Sequence, residues 1–193
     1  MEIILASNSP RRKEILEKFG YKFTVIKSGY EEKGFFNDPV FSSLTFAKNK
    51  ALDVYGSLSA AERARSLVLG ADTVVYYGGK ILGKPKDVKD AFETLTALSG
   101  NTHYVYTGYA LISEKSRVFG VDVSTVTFNA LTEENIREYV ATGRPLDKAG
   151  SYGIQDGFGL VKSVQGSEYN VIGFPIEKIA PVIAAVEKCA FSL

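Results

Sequence analysis

The run "SLVLGADTVVYY", residues 66–77, constrains the fold most strongly. Its aliphatic and aromatic residues read as a strongly apolar strand, one that needs a sheet around it. Gly-Ala-Asp-Thr interrupts the run and sets a carboxylate, Asp72, among apolar neighbours. An unpaired buried charge is costly, so Asp72 must be paired, hydrogen-bonded or bound to a metal. "GGK" (78–80) then forms a tight turn and "ILGKP" returns, a register that can bring Lys84 back towards Asp72. Two readings stay open. One is a structural Asp–Lys ion pair; the other is a metal-binding or water-activating carboxylate beside a phosphate-binding lysine.

The remaining pattern mixes strands and helices. Residues 2–6 ("EIILA") read as a buried strand feeding a helix at 10–19, and 22–28 alternate like a second strand. Residues 29–39 read as a loop, 43–55 as a helix with Leu44, Ala47, Ala51 and Val54 inward, and 57–65 as a polar bridge. Val88, Ala91, Phe92, Leu95 and Leu98 mark a helix at 87–98. Residues 102–113 and 116–131 are β-rich around a turn at "SEKS". Thr132 caps a helix to about residue 142, and 142–159 form a long glycine-rich loop. Residues 160–175 read as strand, turn and strand, and the apolar tail as a helix interrupted or started at Pro181. Hairpins and crossovers together indicate an α/β (α+β mixed) fold on a mixed sheet. With 193 residues and no linker, the chain is expected to form one domain, with two lobes sharing the sheet.

The stretch "LASNSPRRKEIL" poses an electrostatic problem. Ser9 and Pro10 suit a helix start, which puts Arg11 and Arg12 in the first turn, where the helix dipole disfavours cations by about 0.3–1 kcal/mol each. The arginines either splay into water or pair with Glu14 or nearby acids, or else they serve a polyphosphate. Free backbone N–H groups with Ser7, Asn8 and Ser9 suit an anion, and a bound polyphosphate makes both guanidiniums charge-assisted donors. On the polyphosphate reading, removing Arg12 weakens ligand binding and relieves the empty fold.

Further candidates are individually weak. Glu31 and Glu32 are either solvated or hard oxygen ligands for a magnesium-type ion. Lys48 and Lys50 are ambiguous. The loop 145–159 holds Asp147, Lys148, Gln155 and several glycines; it is either an ordinary flexible loop or one whose Gln155 reads a base edge. The one histidine, His103, reads as a satisfied or surface residue, and no histidine cluster exists for zinc or iron. A formal net charge of +1 does not call for nucleic acid or a membrane surface. One cysteine excludes an intrachain disulfide. With no signal-like or spanning segment, the expected compartment is the cytoplasm.

"LASNSPRRKEIL", "GADTVV" with "LGKP", "LSGNTHYVYTG" and "YVATGRPLDKAGSYGIQ", in this order, resemble the Maf family of nucleoside triphosphate pyrophosphatases over about residues 2–180. The resemblance implies a single Maf-like domain over 1–193. Its elongated, twisted mixed sheet would be flanked by helices, with two lobes around a central groove, similar to the inosine triphosphate pyrophosphatase fold. It implies hydrolysis of a nucleoside triphosphate to the monophosphate and pyrophosphate with a divalent cation, Mg²⁺ or Mn²⁺. Carried over residue by residue, phosphate binding falls on Arg11 and Arg12 with Ser7 and Ser9, and the family's lysines fall on Lys50 and Lys84. The acidic residue after the second strand falls on Glu32 and the general base on Asp72, with the metal held by Glu32 and Asp72. Thr73 and Gln155 match positions linked to base selection. "AGSYGIQ" looks like the branch acting on dTTP and UTP, as a house-cleaning enzyme of the nucleotide pool. Ser151 and Asp156 depart from the usual Ala and Gly, and "GSEYNVIGFP" from the usual Gly-Ser-Tyr start. The alternatives are a pyrophosphatase for 7-methyl-GTP or other modified nucleotides, and a nucleotide-binding regulator of cell division with little catalysis. The expected partner is the triphosphate, with neither nucleic acid nor membrane; a homodimer is left open.

Overall fold

The expected strand at 66–77 forms without a break as β3 (Ser66–Tyr77), because Gly70, Ala71, Asp72 and Thr73 all pair with β5 (Thr102–Ile112). The computed structural model describes residues 1–34 and 36–190, with the side chains of all but 189 and 190. Phe35, in the expected loop, and residues 191–193, at the end of the expected tail helix, lie outside it, as does the Cys189 side chain. Among the described residues the sheet has seven strands. β1 (Glu2–Leu5) is parallel to both β2 (Phe23–Val25) and β3, whereas β5, β6 (Arg117–Phe128) and β7 (Val161–Gln165) continue antiparallel beyond β3. This is the mixed sheet the sequence implied.

The other edge of β3 is shared. β1 pairs with Ser66–Leu69, and the short return strand β4 (Lys80–Leu82) pairs with Val75–Tyr77. Residues 70–74 lie between these partners, and Asp72 is central in that gap. Alternation along the strand divides its side chains. Val68, Gly70 and Asp72 share a face with α2 (Pro39–Ser57); Leu69, Ala71 and Thr73 share the other.

Two glycines set the closeness of α2. A Cβ at Gly70 would collide with the Ala47 carbonyl, and one at Gly108 on β5 with the Ser43 carbonyl. Gly108 is in register with Asp72. The helix backbone therefore rests directly on the sheet beside the carboxylate, within reach of a side chain from α2.

The other helices cover the two ends of the sheet. α1 (Pro10–Lys18) and α7 (Ile176–Ala190) bury Ile15, Leu16, Ile179 and Ile183 against Leu5, Leu67 and Leu69. α4 (Val88–Leu98) and α5 (Glu133–Ala141) bury Leu95, Leu98, Ile136 and Tyr139 with Val126 and Phe128.

Local capping explains where the sequence reading fell short. The polar bridge at 57–65 contains a helix, α3 (Ala60–Arg65), started by a Ser59–Glu62 capping box. The second strand expected within 160–175 is instead a short helix, α6 (Glu168–Ile172). Ser167 caps its start and left-handed Gly173 ends it. α2 begins at Pro39 behind an Asp38 cap, ahead of the expected residue 43. α7 runs through Pro181. Val88, one of the residues that mark the α4 periodicity, is exposed in its first turn.

Candidate active site

The start of α1 faces a groove. Ser9 occupies the cap position but makes no side-chain cap bond; its backbone N–H donates to Ser7 Oγ at 3.2 Å. Pro10 has no N–H to satisfy. Both arginines find partners within the chain. Arg11 Nη1 donates to Asp147 Oδ2 at 2.7 Å and Nη2 to the Asp147 carbonyl at 3.3 Å. Arg12 donates from Nε to the Gly173 carbonyl (2.9 Å), from Nη1 to Ser7 Oγ (3.0 Å) and from Nη2 to Thr73 Oγ1 (3.5 Å). The fold thus compensates the two misplaced cations before any ligand arrives. The expectation that removing Arg12 relieves the empty fold is corrected: three acceptors would lose the guanidinium bond, and of these Ser7 Oγ keeps a further donor, the Ser9 N–H. Burial lowers the Arg12 pKa from its ordinary value, with Asp72 pulling the other way.

Asp72 is 7% exposed and does form an ion pair, but its cation is Lys50 from α2, at 2.6 Å, and not Lys84. Lys50 Nζ also meets Glu32 Oε1 at 2.5 Å, so one ammonium bridges two carboxylates. Burial raises the Asp72 pKa above its ordinary value; Lys50 opposes that rise, Glu32 adds to it and Arg12 opposes it. The loop carrying Glu32 is fastened by Asp53, which lies one helical turn beyond Lys50. Its Oδ2 accepts from Ser28 Oγ (2.8 Å) and Gly29 N (2.7 Å).

The donor set suits a divalent cation shared with a ligand. Two hard carboxylates already converge on one cationic point, and magnesium is commonly held by one or two carboxylates together with substrate phosphates. Among the described residues no group of three or more His, Cys, Asp or Glu forms a cage of its own.

Thr73, on the opposite face of β3 from Asp72, shares a hydroxyl contact of 3.0 Å with Thr107, which in turn donates to the Asn170 carbonyl at 2.8 Å. Gln155 lies in a 3₁₀ turn (Ile154–Asp156) with its side chain unpaired and accessible. His103 is buried, with Nε2 2.8 Å from the Tyr152 hydroxyl.

One cavity of about 520 Å³ gathers all ten residues singled out from the sequence: Ser7, Ser9, Arg11, Arg12, Glu32, Lys50, Asp72, Thr73, Lys84 and Gln155. That size suits a small-molecule ligand. Lys27, Tyr30, Asp147 and Lys148 line it too. Sequence reasoning missed Asp53 and left Asp147 and Lys148 without roles. Asp53 offered one signal, its i,i+3 spacing from Lys50.

A sequence model of the family described as Maf-like protein matches residues 2–186. A dTTP/UTP pyrophosphatase of Thermococcus kodakarensis is 47% identical over 178 residues, covering 92% of this chain and 93% of its own. The dTTP/UTP pyrophosphatase of Bacillus cytotoxicus is 48% identical over 180 residues, covering 92% of each. That of Clostridium perfringens is 44% identical over 184 residues, covering 93% and 94%.

Proposed function

The chain belongs to the Maf-like protein family, and from that premise we propose that it hydrolyses dTTP and UTP to the nucleoside monophosphate and pyrophosphate. The observation that carries this reading is the convergence of Arg11, Arg12, Lys50 and Lys84 with the carboxylates Glu32 and Asp72 on one cavity. The cations suit a triphosphate and the carboxylates do not, so a pure anion binder would gain nothing from Glu32 and Asp72. We read residues 1–193 as one Maf-like domain, working on the cytoplasmic nucleotide pool. No described helix is long and apolar enough to cross a membrane.

Arg11, Arg12, Lys50 and Lys84 would bind phosphate oxygens and stabilise charge moving onto the leaving pyrophosphate. For Arg11 this means exchanging the Asp147 carboxylate for phosphate oxygens. Asp72 would orient water and take its proton as oxygen bonds to the α-phosphorus and the bond to the bridging oxygen breaks. Proteins of this family generally depend on a divalent metal; Glu32 and Asp72 would hold Mg²⁺ or Mn²⁺, which when bound supplies Lewis-acid charge and a more acidic water. Ser7 and Ser9 would add neutral donors at the phosphates. Gln155 would read the O4 and N3–H edge of a pyrimidine, and Thr73 would support the same end of the ligand or the Arg12 guanidinium.

The test is pyrophosphate release from dTTP, UTP, CTP, ATP, GTP and 7-methyl-GTP with Mg²⁺. Fastest release from dTTP and UTP is expected. Fastest release from 7-methyl-GTP would move the chain to another substrate branch. Nucleotide binding without release would support the regulator reading instead.

A further inference from the structure

The most buried ammonium in the Gln155 loop takes no part in the chemistry above. Lys148 is 8% exposed. Its Nζ donates to the Arg144 carbonyl (2.6 Å) and to Asp147 Oδ1 (3.0 Å), and lies 3.4 Å from Asp156 Oδ2. Asp156 Oδ2 also accepts a 2.6 Å bond from the hydroxyl of Tyr139, a wholly buried residue of α5. That hydroxyl accepts in turn from the Gly153 N–H at 3.0 Å. The Asp156 carbonyl accepts from Arg144 Nη1 at 3.1 Å.

Gly153 and Asp156 bracket Gln155, and both are fastened to one hydroxyl. The turn closes tightly there: a Cβ on Gly153 would stand 2.8 Å from Lys148 Cε and 2.9 Å from Asp156 Oδ2. Gln155 itself makes no side-chain bond among the described residues, so its backbone decides where its amide points. Desolvation offsets much of the Coulomb gain of buried charges, so this network is weak evidence for stability. Here the geometry being fixed is that of a ligand-facing turn. Asp147 carries the same network on to Arg11.

We propose that the Tyr139 hydroxyl and the Asp156 carboxylate are positioning residues for base discrimination, holding the turn that presents Gln155. The proposal rests on Gln155 reading the base.

The readout is the ratio of kcat/KM for UTP to that for CTP, which differ at the edge Gln155 would meet. Gln155→Ala, Tyr139→Phe and Asp156→Ala are each expected to lower the ratio, by up to about tenfold for a lost hydrogen bond. For the latter two the loss should fall mainly in the KM for UTP, with kcat little changed. Asp156→Asn keeps an acceptor for Tyr139 and is expected to preserve the ratio. Tyr139→Phe added to Gln155→Ala should lower it no further. Thermal melts confirm folding, and if Tyr139→Phe does not fold, Asp156→Ala breaks the same bond from its other end. A lowered ratio in Gln155→Ala with unchanged ratios in Tyr139→Phe and Asp156→Ala overturns the positioning role alone. A wild-type ratio in Gln155→Ala overturns the Gln155 reading, and with it a role exerted through that residue.

Discussion

Arg11 and Asp147 stand 136 residues apart in the chain and 2.7 Å apart in the fold. Their pair ties the first turn of α1 to the loop that carries Gln155. It also gives Arg11 an internal anion, one that a triphosphate would have to replace if Arg11 binds phosphate as proposed.

That pair predicts an acid-sensitive contact. Burial pushes the Asp147 carboxyl up, but the bonds from Arg11 and Lys148 outweigh it and hold its pKa below the ordinary 3.8. A depressed carboxylate stabilises the fold above its unfolded pKa, and the contribution is lost as pH falls through the folded value. The loss therefore belongs below about pH 4. With the Asp147 side chain 57% exposed, its size is under about 1 kcal/mol. Asp147→Asn is expected to flatten the fall of the urea midpoint below that pH. An unchanged acid limb would remove Asp147 as its cause.

Asp72 gives the opposite pH sign. Its raised carboxyl contributes stability that is full below the ordinary 3.8 and is lost as pH rises through the folded value. In chelator-treated protein, Asp72→Asn should abolish that loss. In the metal-supplied enzyme the same change should cut turnover by about 10²–10⁴-fold, the usual contribution of a general base. Triphosphate binding by calorimetry should persist. Near-normal turnover would remove Asp72 from the chemistry.

Most of the fold was legible because its signals are local: the apolar run of β3, the caps of α1 and α5, and the periodicity of α4. Nine of the ten groove residues were legible as separate candidates from residue type and position; the family resemblance added Thr73 and joined them into one site. By residue type alone, Asp72 with a lysine stayed open between a structural ion pair and chemistry. The partner was misassigned to Lys84 because a hairpin is a short-range signal. Lys50 arrives from α2 by a tertiary approach that Gly70 and Gly108 permit, and no local pattern encodes it. Arg11–Asp147 and Tyr139–Asp156 were hidden for the same reason. α6 was missed because five residues are too few for a helical period, although Ser167 and Gly173 mark both its ends.

Arg12 is expected to be structural as well as functional. Arg12→Ala takes the guanidinium donor from the Gly173 carbonyl, Ser7 Oγ and Thr73 Oγ1, of which Ser7 Oγ keeps the Ser9 N–H. Unmade bonds of this kind cost about 1–3 kcal/mol, so the melting temperature should fall as triphosphate binding weakens. Arg12→Lys restores charge but not the fork of donors, and should recover only part of either property. A variant that binds poorly yet melts at or above the wild-type temperature would return the residue to a purely ligand-directed role.

His103 predicts a second and larger acid limb, in a separate window. It sits on β5 with its ring edge-on to Phe128 and Tyr152, and among the described residues its Nδ1 has no partner. Protonation would place a charge and a second N–H where the described residues offer no acceptor, and burial lowers the pKa from 6.5 to about 4. The unfolded chain binds the proton more readily, so stability is full above about pH 6.5 and declines as pH falls towards the folded value. A shift of that size corresponds to roughly 3 kcal/mol at most. His103→Gln can keep an amide beside the Tyr152 hydroxyl and does not titrate. Wild type should lose stability relative to this variant between about pH 6.5 and 4, the window above the one assigned to Asp147. A constant difference between the two proteins across that window would show that His103 is not the group being protonated.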